Sequence, residues 1–260
     1  MLKHLFKLFL FTMIFSCASE KPEGKTEAEI LFKEAKILMD DGRYIMATEK
    51  LNLLRSQYPY SFFATPAELM LADILFLQEN YVEAAAAYIL FRDFHPKSAD
   101  TEYVIYKTAE SYFKQIPETF DRDLGAAFEA IKYYKELLEK FANSKYVGDT
   151  IEKIKKSQKM IEEKEQYIAD FYFKTKNFKA AKYRYLKIVR ELENIAIVDH
   201  AMKRTILSAH HAQEYTDCNT YADKFFNLLS ESSKKDIIEI KEKCKNSNNT
   251  NEGANSNDQL

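Results

Sequence analysis

The side chains that could do chemistry are scattered along this sequence of 260 residues. His210 and His211 are adjacent, so on a helix their rings point about 100° apart and cannot share a metal ion as an i, i+4 pair would. Carboxylates are abundant, but their distribution is typical of solvated helix faces. The sequence contains no glycine-rich phosphate loop, no His-Glu-x-x-His and no Gly-x-Ser-x-Gly motif. We therefore expect no enzymatic activity, no metal site and no cofactor.

The first cysteine is the residue with the clearest chemical prediction. A basic start and an apolar run of about eight residues precede it, which fits a secretory signal because a membrane span needs about 20 residues. The run ends in Ile14-Phe15-Ser16-Cys17, which resembles the bacterial lipoprotein box, although Phe15 replaces the usual small residue. This resemblance predicts a signal peptide over residues 1–16 and acylation, including palmitate, at Cys17. An ordinary cleaved signal with a chance cysteine is the alternative.

The remaining cysteines are too few for a disulfide framework. Residues 17–27 read as the acylated cysteine and a flexible polar linker, and export implies an oxidising compartment. Besides Cys17, the mature chain contains only Cys218 and Cys244. They could pair or remain buried thiols, and we expect buried thiols.

A short charged triplet, Asp121-Arg122-Asp123, interrupts an otherwise regular helical pattern. Asp123 could cap the helix that follows, because a carboxylate favours the positive end of a helix. Arg122 could pair with either neighbour. The alternative is that Asp121, Arg122 and Asp123 form a polar loop anchor for a bound peptide or partner.

The composition indicates which elements must position these residues. Only five Gly and five Pro occur, and sheet-rich folds and phosphate loops use more glycine than this. The net charge of −2 argues against nucleic acid as a partner, because such binding calls for a concentrated basic surface. The sequence therefore predicts an all-α protein.

A repeated pattern refines this prediction. Small residues recur where the two helices of a pair would cross; they are Ala47, Ala84, Ala130, Ala181 and Ala222, and a turn with an aromatic residue precedes the first, second and fourth. Each helix pair has two apolar faces and must stack on its neighbours to bury both. We predict a tetratricopeptide (TPR)-like α-solenoid of about five helix pairs. A long charged helix is expected over residues 149–176.

We expect two sets of repeats, an N-terminal set over residues 28–146 and a C-terminal set over residues 147–244. The Asn- and Ser-rich segment 245–260 has little apolar content and is predicted to be disordered.

The order of the motifs resembles the BamD family of TPR lipoproteins, which act in β-barrel assembly at the outer membrane. The resemblance spans residues 17–230 and rests on these motifs, in order: Cys17; Ala35-x-x-Leu38-x-x-x-Gly42-x-Tyr44-x-x-Ala47; Tyr58-Pro59-Tyr60-Ser61; Arg92-x-x-His95-Pro96 with Tyr103-x-x-Tyr106; Asp121-Arg122-Asp123; and Asn143-Ser144-x-Tyr146. The third repeat departs from the family by ending in Phe141-Ala142 instead of Tyr-Pro.

This resemblance implies a non-enzymatic scaffold of the β-barrel assembly (BAM) complex, anchored by lipid at the periplasmic face of the outer membrane. Its N-terminal repeats would receive C-terminal signals of unfolded outer-membrane proteins in a groove; the candidate residues are Tyr58, Phe91, Tyr103, Tyr106 and Phe113. Each of these aromatic residues could instead belong to the core between repeats. Its C-terminal repeats would bind a BamA-like POTRA domain through Arg184, which could instead be a solvated side chain. Other BAM lipoproteins would be further partners.

Two other classes of protein share some of these features. Another TPR lipoprotein, for pilus secretin or envelope assembly, would share the lipid tether and the repeats but not the Asp-Arg-Asp loop or the long helix. A helical repeat joined to a hydrolase, as in lytic transglycosylases, would need a catalytic domain, and residues 230–260 are too few and too polar to supply one.

Overall fold

The computed structural model describes the backbone of residues 22–255 and the side chains of residues 22–246. All regular elements in this part of the chain are helical, which confirms the all-α class. The α-helices are α1 (Glu27–Asp40), α2 (Tyr44–Gln57), α3 (Ala64–Leu77), α4 (Tyr81–Phe94), α5 (Thr101–Lys114), α6 (Gly125–Lys140), α7 (Val147–Lys174), α8 (Phe178–Glu191), α9 (Ile195–His211), α10 (Tyr215–Phe225) and α11 (Glu231–Asn255). The described residues thus contain five TPR-like helix pairs and one further helix, α11. The predicted signal peptide and Cys17 lie outside the described residues.

The helices form two compact units, one ending at Ser111 and the other beginning at Tyr112, inside α5. In the first unit, α1, α2 and α3 share a core that includes Leu31, Leu51 and Ile74. The second unit has a core on α7, α8 and α9, and another on α9, α10 and α11. None of the helices among the described residues is both long and apolar enough to cross a membrane.

The alanines predicted at the helix crossings are all buried. Ala47, Ala84, Ala130, Ala181 and Ala222 are each 0% exposed. A methyl side chain lets two backbones approach closely, and the larger rings of the following turns fill the wider spaces, as Tyr88, Tyr134 and Tyr185 do. Ala47, Ala84 and Ala181 each lie five residues after the positive-φ residue of the preceding turn, which confirms their register, whereas Cys218 holds that place in the last pair and Ala222 lies one helical turn later.

Four helix pairs share the same turn between their first and second helix. The residues with positive φ in these turns are Gly42 (73°), Glu79 (62°), Lys176 (62°) and Gln213 (60°). In the first turn, the N–H of Gly42 donates to the carbonyl of Met39 at 3.0 Å, and the N–H of Arg43 donates to that of Leu38 at 2.8 Å. The other three turns repeat both hydrogen bonds, which define a Schellman motif. Only the first turn uses glycine for the left-handed conformation.

A serine turn follows the second helix of the first three pairs. The N–H groups of Ser61, Ser98 and Ser144 donate to the carbonyls of Tyr58, His95 and Phe141, respectively. Each serine Oγ also accepts a backbone N–H two residues later, from Phe63, Asp100 and Tyr146. Ala142 occupies the position of proline in the third turn, and the turn forms there because the serine hydrogen bonds fix it.

Two helices are longer than the others described, with 28 residues in α7 and 25 in α11. The charged helix predicted over residues 149–176 is present as α7. The last helix, α11, runs to Asn255, and the disorder predicted for residues 245–260 stays a prediction. Helix α11 packs against the rest of the second unit through Ile237, Ile240 and Cys244. Once nucleated, a helix extends at little further cost per residue.

The two cysteines of the second unit are paired, so the expectation of buried free thiols is wrong. A disulfide joins Cys218 in α10 to Cys244 in α11, with Cα atoms 5.8 Å apart. Both residues are fully buried, as expected. The sequence did not indicate that α11 folds back onto α10, and this packing is what brings the sulfurs together.

Candidate functional site

A groove in the first unit lies near the predicted peptide site. It has a volume of about 540 Å³ and lies among the end of α2, the start of α3 and the last turns of α4. The residues that line it are Arg55, Glu68, Leu71, Ala87, Leu90, Phe91, Phe94 and His95. Apolar side chains of α4 form one wall, so the groove suits an apolar or aromatic ligand.

A cluster of charged groups lies at one side of this groove. Glu68 Oε1 is 3.3 Å from Arg55 Nη2, and Glu68 Oε2 is 2.7 Å from His95 Nε2. The His95 ring also packs against Phe91, with centroids 4.8 Å apart. Arg55 remains partly exposed, so its guanidinium can contact a ligand in addition to its contact with Glu68.

The structure places the five groove candidates in different surroundings. Phe91 lines the cavity, although it is almost fully buried. Tyr58 packs against the core of α1, α2 and α3, and Tyr103 packs against the cluster of Tyr88 and Phe91. Tyr106 is half-buried, and Phe113 lies in the second unit, where its ring meets Tyr134 edge-on. Among these five, only Phe91 lines the groove.

Two further residues of the groove were missed by the sequence reasoning. Leu90 and Phe94 are 56% and 70% exposed, respectively, and both lie on α4. They are four residues apart, so they share a helix face beside the buried positions Tyr88 and Phe91. Apolar residues outside the buried stripe of α4 were the signal that could have found them.

Tyr103 takes part in a buried group of hydrogen bonds between helix pairs, which we call a carboxylate joint because one carboxylate accepts them. Its hydroxyl donates to Asp73 Oδ1 at 2.7 Å, and the hydroxyl of Tyr88 donates to the same oxygen at 2.6 Å. Burial raises the pKa of Asp73 above its usual value, although both hydrogen bonds and the charge of Lys107 oppose this. The joint holds α3, α4 and α5 in register within the first unit.

The second unit contains a joint of the same spacing. Asp170 Oδ1 accepts a hydrogen bond from the hydroxyl of Tyr185, 15 residues later, and lies 3.0 Å from His200 Nε2, 30 residues later. Tyr88 and Tyr103 follow Asp73 at the same separations, 15 and 30 residues. Burial acts to raise the pKa of Asp170, but hydrogen bonds from His200 and Tyr185 and the charges of His200 and Arg204 outweigh it, so that pKa is lowered.

Arg184, the predicted partner-binding residue, lies on α8 with 41% of its side chain exposed. Its Nη1 is 4.0 Å from Glu165 Oε2, the limit of an ion pair. The other oxygen of Glu165 is 2.8 Å from Lys187 Nζ. Lys187 therefore carries most of the pairing with Glu165, and the guanidinium of Arg184 is left facing solvent.

The Asp121-Arg122-Asp123 triplet is exposed. Asp123 Oδ2 accepts the N–H of Gly125 at 3.1 Å, which forms an Asx-type turn just before α6, whose N-cap is Leu124 and has no side-chain cap. A side-chain hydrogen bond from Thr119 is the main cause that lowers the pKa of Asp121. The carbonyl of Arg122 accepts a hydrogen bond from Lys164. These contacts give the triplet a structural role, and its role as a ligand anchor stays a prediction.

A buried lysine in the second unit was not anticipated. Lys182 on α8 is 3% exposed, and its Nζ pairs with Glu214 at 2.5 Å and with Asp217. Burial acts to lower the pKa of Lys182, but the hydrogen bonds that it donates to these two carboxylates raise it overall. Lys182 thus ties α8 to the start of α10.

Three potential metal ligands lie close together in the described part of the chain. They are His210, Cys218 and Cys244, and His210 Nδ1 is 3.6 Å from Cys244 Sγ. Burial lowers the pKa of His210, and the charges of His211 and Lys243 add to this effect. Because the two sulfurs are bonded to each other, neither offers the thiolate that a metal ion requires.

The paired helices and their shared turns define an all-α helical-repeat protein of the TPR type, with an open apolar groove in its first unit. The family model described as YfiO, outer membrane lipoprotein, matches residues 24–225. The chain belongs to this family of outer membrane lipoproteins, which confirms the resemblance to the BamD family seen in the sequence.

Individual relatives cover most of the chain. It is 30% identical over 213 residues to the outer membrane protein assembly factor BamD of Rickettsia prowazekii (strain Madrid E), which covers 79% of this chain and 84% of that protein. It is 26% identical over 218 residues to BamD of Neisseria gonorrhoeae, covering 78% and 82%. Among solved structures, the TPR2AB domain of yeast Sti1 in complex with pHSP90 gives a TM-score of 0.44 at 13% identity, covering 85% of this chain and 100% of that one.

Proposed function

We propose that this chain is a non-enzymatic scaffold of the machinery that assembles β-barrel proteins in the outer membrane, anchored at the periplasmic face by acyl chains on Cys17. The observation that carries this proposal is the similarity to BamD proteins along most of their length as well as its own. The helix pairs supply rigid surfaces on which other proteins can be held, and different surfaces can serve different partners.

Arg184 is the proposed contact with a BamA-like POTRA domain. It is half-exposed, and Lys187 already neutralises its acidic neighbour Glu165. An acidic side chain of the partner would therefore meet a guanidinium that has little competing pairing within this chain. Such a pair becomes strong when the interface excludes water, and removing one member leaves the other unpaired.

Recovery of the anchored protein from gently solubilised envelopes tests this contact. With Arg184→Glu, we expect a POTRA-bearing barrel protein to be recovered in clearly lower amount. Arg190→Glu is the matched control, because Arg190 lies on the same helix, is 73% exposed and forms a surface ion pair with its neighbour Glu191 at 2.7 Å, a kind of pair that contributes little. Equal recovery with both variants would remove Arg184 from the interface. Recovery of a secretin or a cell-wall enzyme in place of a barrel protein would refute the proposed function.

The groove of the first unit is the proposed site for C-terminal signals of unfolded outer-membrane proteins. Leu90, Phe91 and Phe94 form an apolar wall that suits aromatic side chains. Arg55 lies at the same groove with its guanidinium partly exposed, and a terminal carboxylate would compete with Glu68 for it.

Fluorescence anisotropy with a labelled, aromatic-ended peptide tests this site. The double variant Leu90→Ser and Phe94→Ser is expected to weaken binding about tenfold, because two exposed apolar contacts are lost. Leu228→Ser is the control, since Leu228 is similarly exposed, at 67%, but lies in the second unit. If the double variant binds the peptide as tightly as the parent protein does, the groove is not the site.

A further inference from the structure

One end of the first unit carries three exposed aromatic side chains, which we call the aromatic end: Tyr60, Phe62 and Phe94. Tyr60 is 100%, Phe62 84% and Phe94 70% exposed. Large apolar side chains exposed together usually mark a contact surface. Among the residues that the structure describes, they are the three most exposed Tyr and Phe side chains.

The topology places these residues at the end where the chain enters the fold. Helix α2 ends at Gln57 and α4 ends at Phe94, and α1 begins at the same end because paired helices are antiparallel. The contacts agree, since Glu68 near the start of α3 meets both Arg55 and His95. Two ring contacts also lead from α1 outward, Phe32 to Phe63 at 5.4 Å and Phe63 to Phe62 at 5.6 Å.

The loop that presents Tyr60 and Phe62 is fixed by hydrogen bonds. The N–H of Ser61 donates to the carbonyl of Tyr58 at 3.0 Å. Ser61 Oγ accepts the N–H of Phe63 at 3.2 Å, and the carbonyl of Ser61 accepts the N–H of Ala64 at 3.0 Å. This turn therefore holds the two exposed rings outward. Phe63, which follows them and precedes α3, packs inward against the core.

The length of chain before α1 limits how far this end can lie from the acylated residue. Lys33 Nζ donates to the carbonyl of Glu23 at 2.8 Å, and Thr26 Oγ1 accepts the N–H of Glu29, so the segment just before α1 is tied to that helix. From Cys17 to Pro22 there are five residue steps, which span about 18 Å when fully extended. Acyl chains on Cys17 would thus keep Pro22, in the segment that leads into α1, within about 18 Å of the lipid surface.

We propose that Tyr60, Phe62 and Phe94 contact the interfacial layer of the phospholipid leaflet that holds the acyl chains of Cys17. The proposal rests on the lipid anchoring proposed above. Aromatic side chains are favoured at the boundary between headgroups and acyl chains. Because a short tether makes this contact intramolecular, even a weak affinity for lipid orients the first unit on the membrane.

The chain contains no tryptophan, so one introduced indole reports on this contact alone. We would prepare the acylated full-length protein with Phe62→Trp and place it in vesicles of phosphatidylethanolamine and phosphatidylglycerol with brominated acyl chains. Ile45→Trp is the matched control, because Ile45 is 73% exposed but lies at the opposite end of α2. We expect a blue-shifted emission and a several-fold stronger quenching for Phe62→Trp.

Flotation of the same vesicles separates failure of this contact from failure of the anchor. Protein that floats but shows equal or no quenching at the two positions overturns the lipid contact. Protein that does not float overturns the anchoring and the premise of the contact with it. Shielding of the indole only when a barrel partner is added would assign the aromatic end to a protein interface, against this proposal.

A second measurement does not depend on acylation. In the Cys17→Ser form, the double variant Tyr60→Ser and Phe62→Ser should bind the same vesicles about tenfold more weakly, since two rings no longer leave water. Both rings are exposed, so the fold should be unaffected, as circular dichroism would verify. Unchanged binding would overturn the proposal.

Discussion

Lys176 is the residue whose replacement we expect to stabilise the second unit. It holds a left-handed conformation, with φ at 62°, in the turn between α7 and α8. Gly42 occupies the equivalent turn between α1 and α2, with φ at 73°. Because L-residues with a Cβ are strained in this region and glycine is not, Lys176→Gly removes strain without changing the turn.

The expected gain follows from two opposing effects. Left-handed backbone costs a residue with a Cβ roughly 1 to 2 kcal/mol. Glycine returns roughly 0.5 to 1 kcal/mol of this, because it makes the unfolded chain more flexible. The side chain of Lys176 is exposed, so few contacts are lost. We therefore expect the free energy of unfolding to rise by about 0.5 to 1 kcal/mol.

Urea denaturation followed by circular dichroism measures this change, with two controls. Gly42→Ala should lower stability by about 1 kcal/mol, and strain alone would be responsible because an added Cβ meets nothing within 4 Å. Lys155→Gly, at an exposed position inside α7, should also lower stability by about 1 kcal/mol because glycine disfavours a helix. If Lys176→Gly destabilises as much as Lys155→Gly does, the turn is not strained and the reasoning fails.

The disulfide and the two carboxylate joints give the remaining predictions. Cys218→Ser should lower the stability of the second unit by about 3 kcal/mol, since the bond closes a loop between residues 26 apart in sequence, and reductant should shift the urea midpoint of the parent but not of the variant. The lowered pKa of Asp170 contributes stability that is present above its unfolded pKa and is lost as the pH falls through its folded pKa, so Asp170→Asn should flatten the loss of stability below about pH 4. The raised pKa of Asp73 has the opposite sign, because its contribution falls as the pH rises. Asp73→Asn should therefore cost less at neutral pH than Asp170→Asn, and equal costs in urea titrations would contradict this assignment.

The repeat register was predictable because it depends on residue size at fixed spacing. A small residue is needed where two helices cross, so alanine recurs at this place in the helix pairs. The burial of the five alanines follows from this requirement; they are Ala47, Ala84, Ala130, Ala181 and Ala222. The turn after α6 was also recognisable although Ala142 replaces proline, because Ser144 keeps the hydrogen bonds.

Features that depend on three-dimensional pairing were not predictable from local patterns. The left-handed residues Glu79, Lys176 and Gln213 have ordinary side chains, and only their position in the repeat indicates the conformation. The disulfide was missed because Cys244 lies on a helix whose apolar content is sparse. The carboxylate joints become visible only after the helix pairs are aligned, when Asp73 and Asp170 fall at the same place.

The candidate site was predicted only in part for a related reason. Aromatic residues in a helical repeat serve both the core and the binding surface, and sequence alone does not separate them. Tyr58 and Tyr103 pack into cores, while Leu90 and Phe94 face the groove. Exposure distinguishes the two groups, and exposure is a property of the folded chain.

The position of the disulfide also determines when it can form during synthesis and delivery of the chain. A chain that emerges from a ribosome or a translocation channel begins with its N-terminus, and Cys244 follows all five helix pairs. The covalent bond to Cys218 can therefore close only after all five helix pairs have been delivered. Oxidation of this pair therefore marks the time at which the helix pairs have all been delivered. Alkylation of free thiols at successive times would record it.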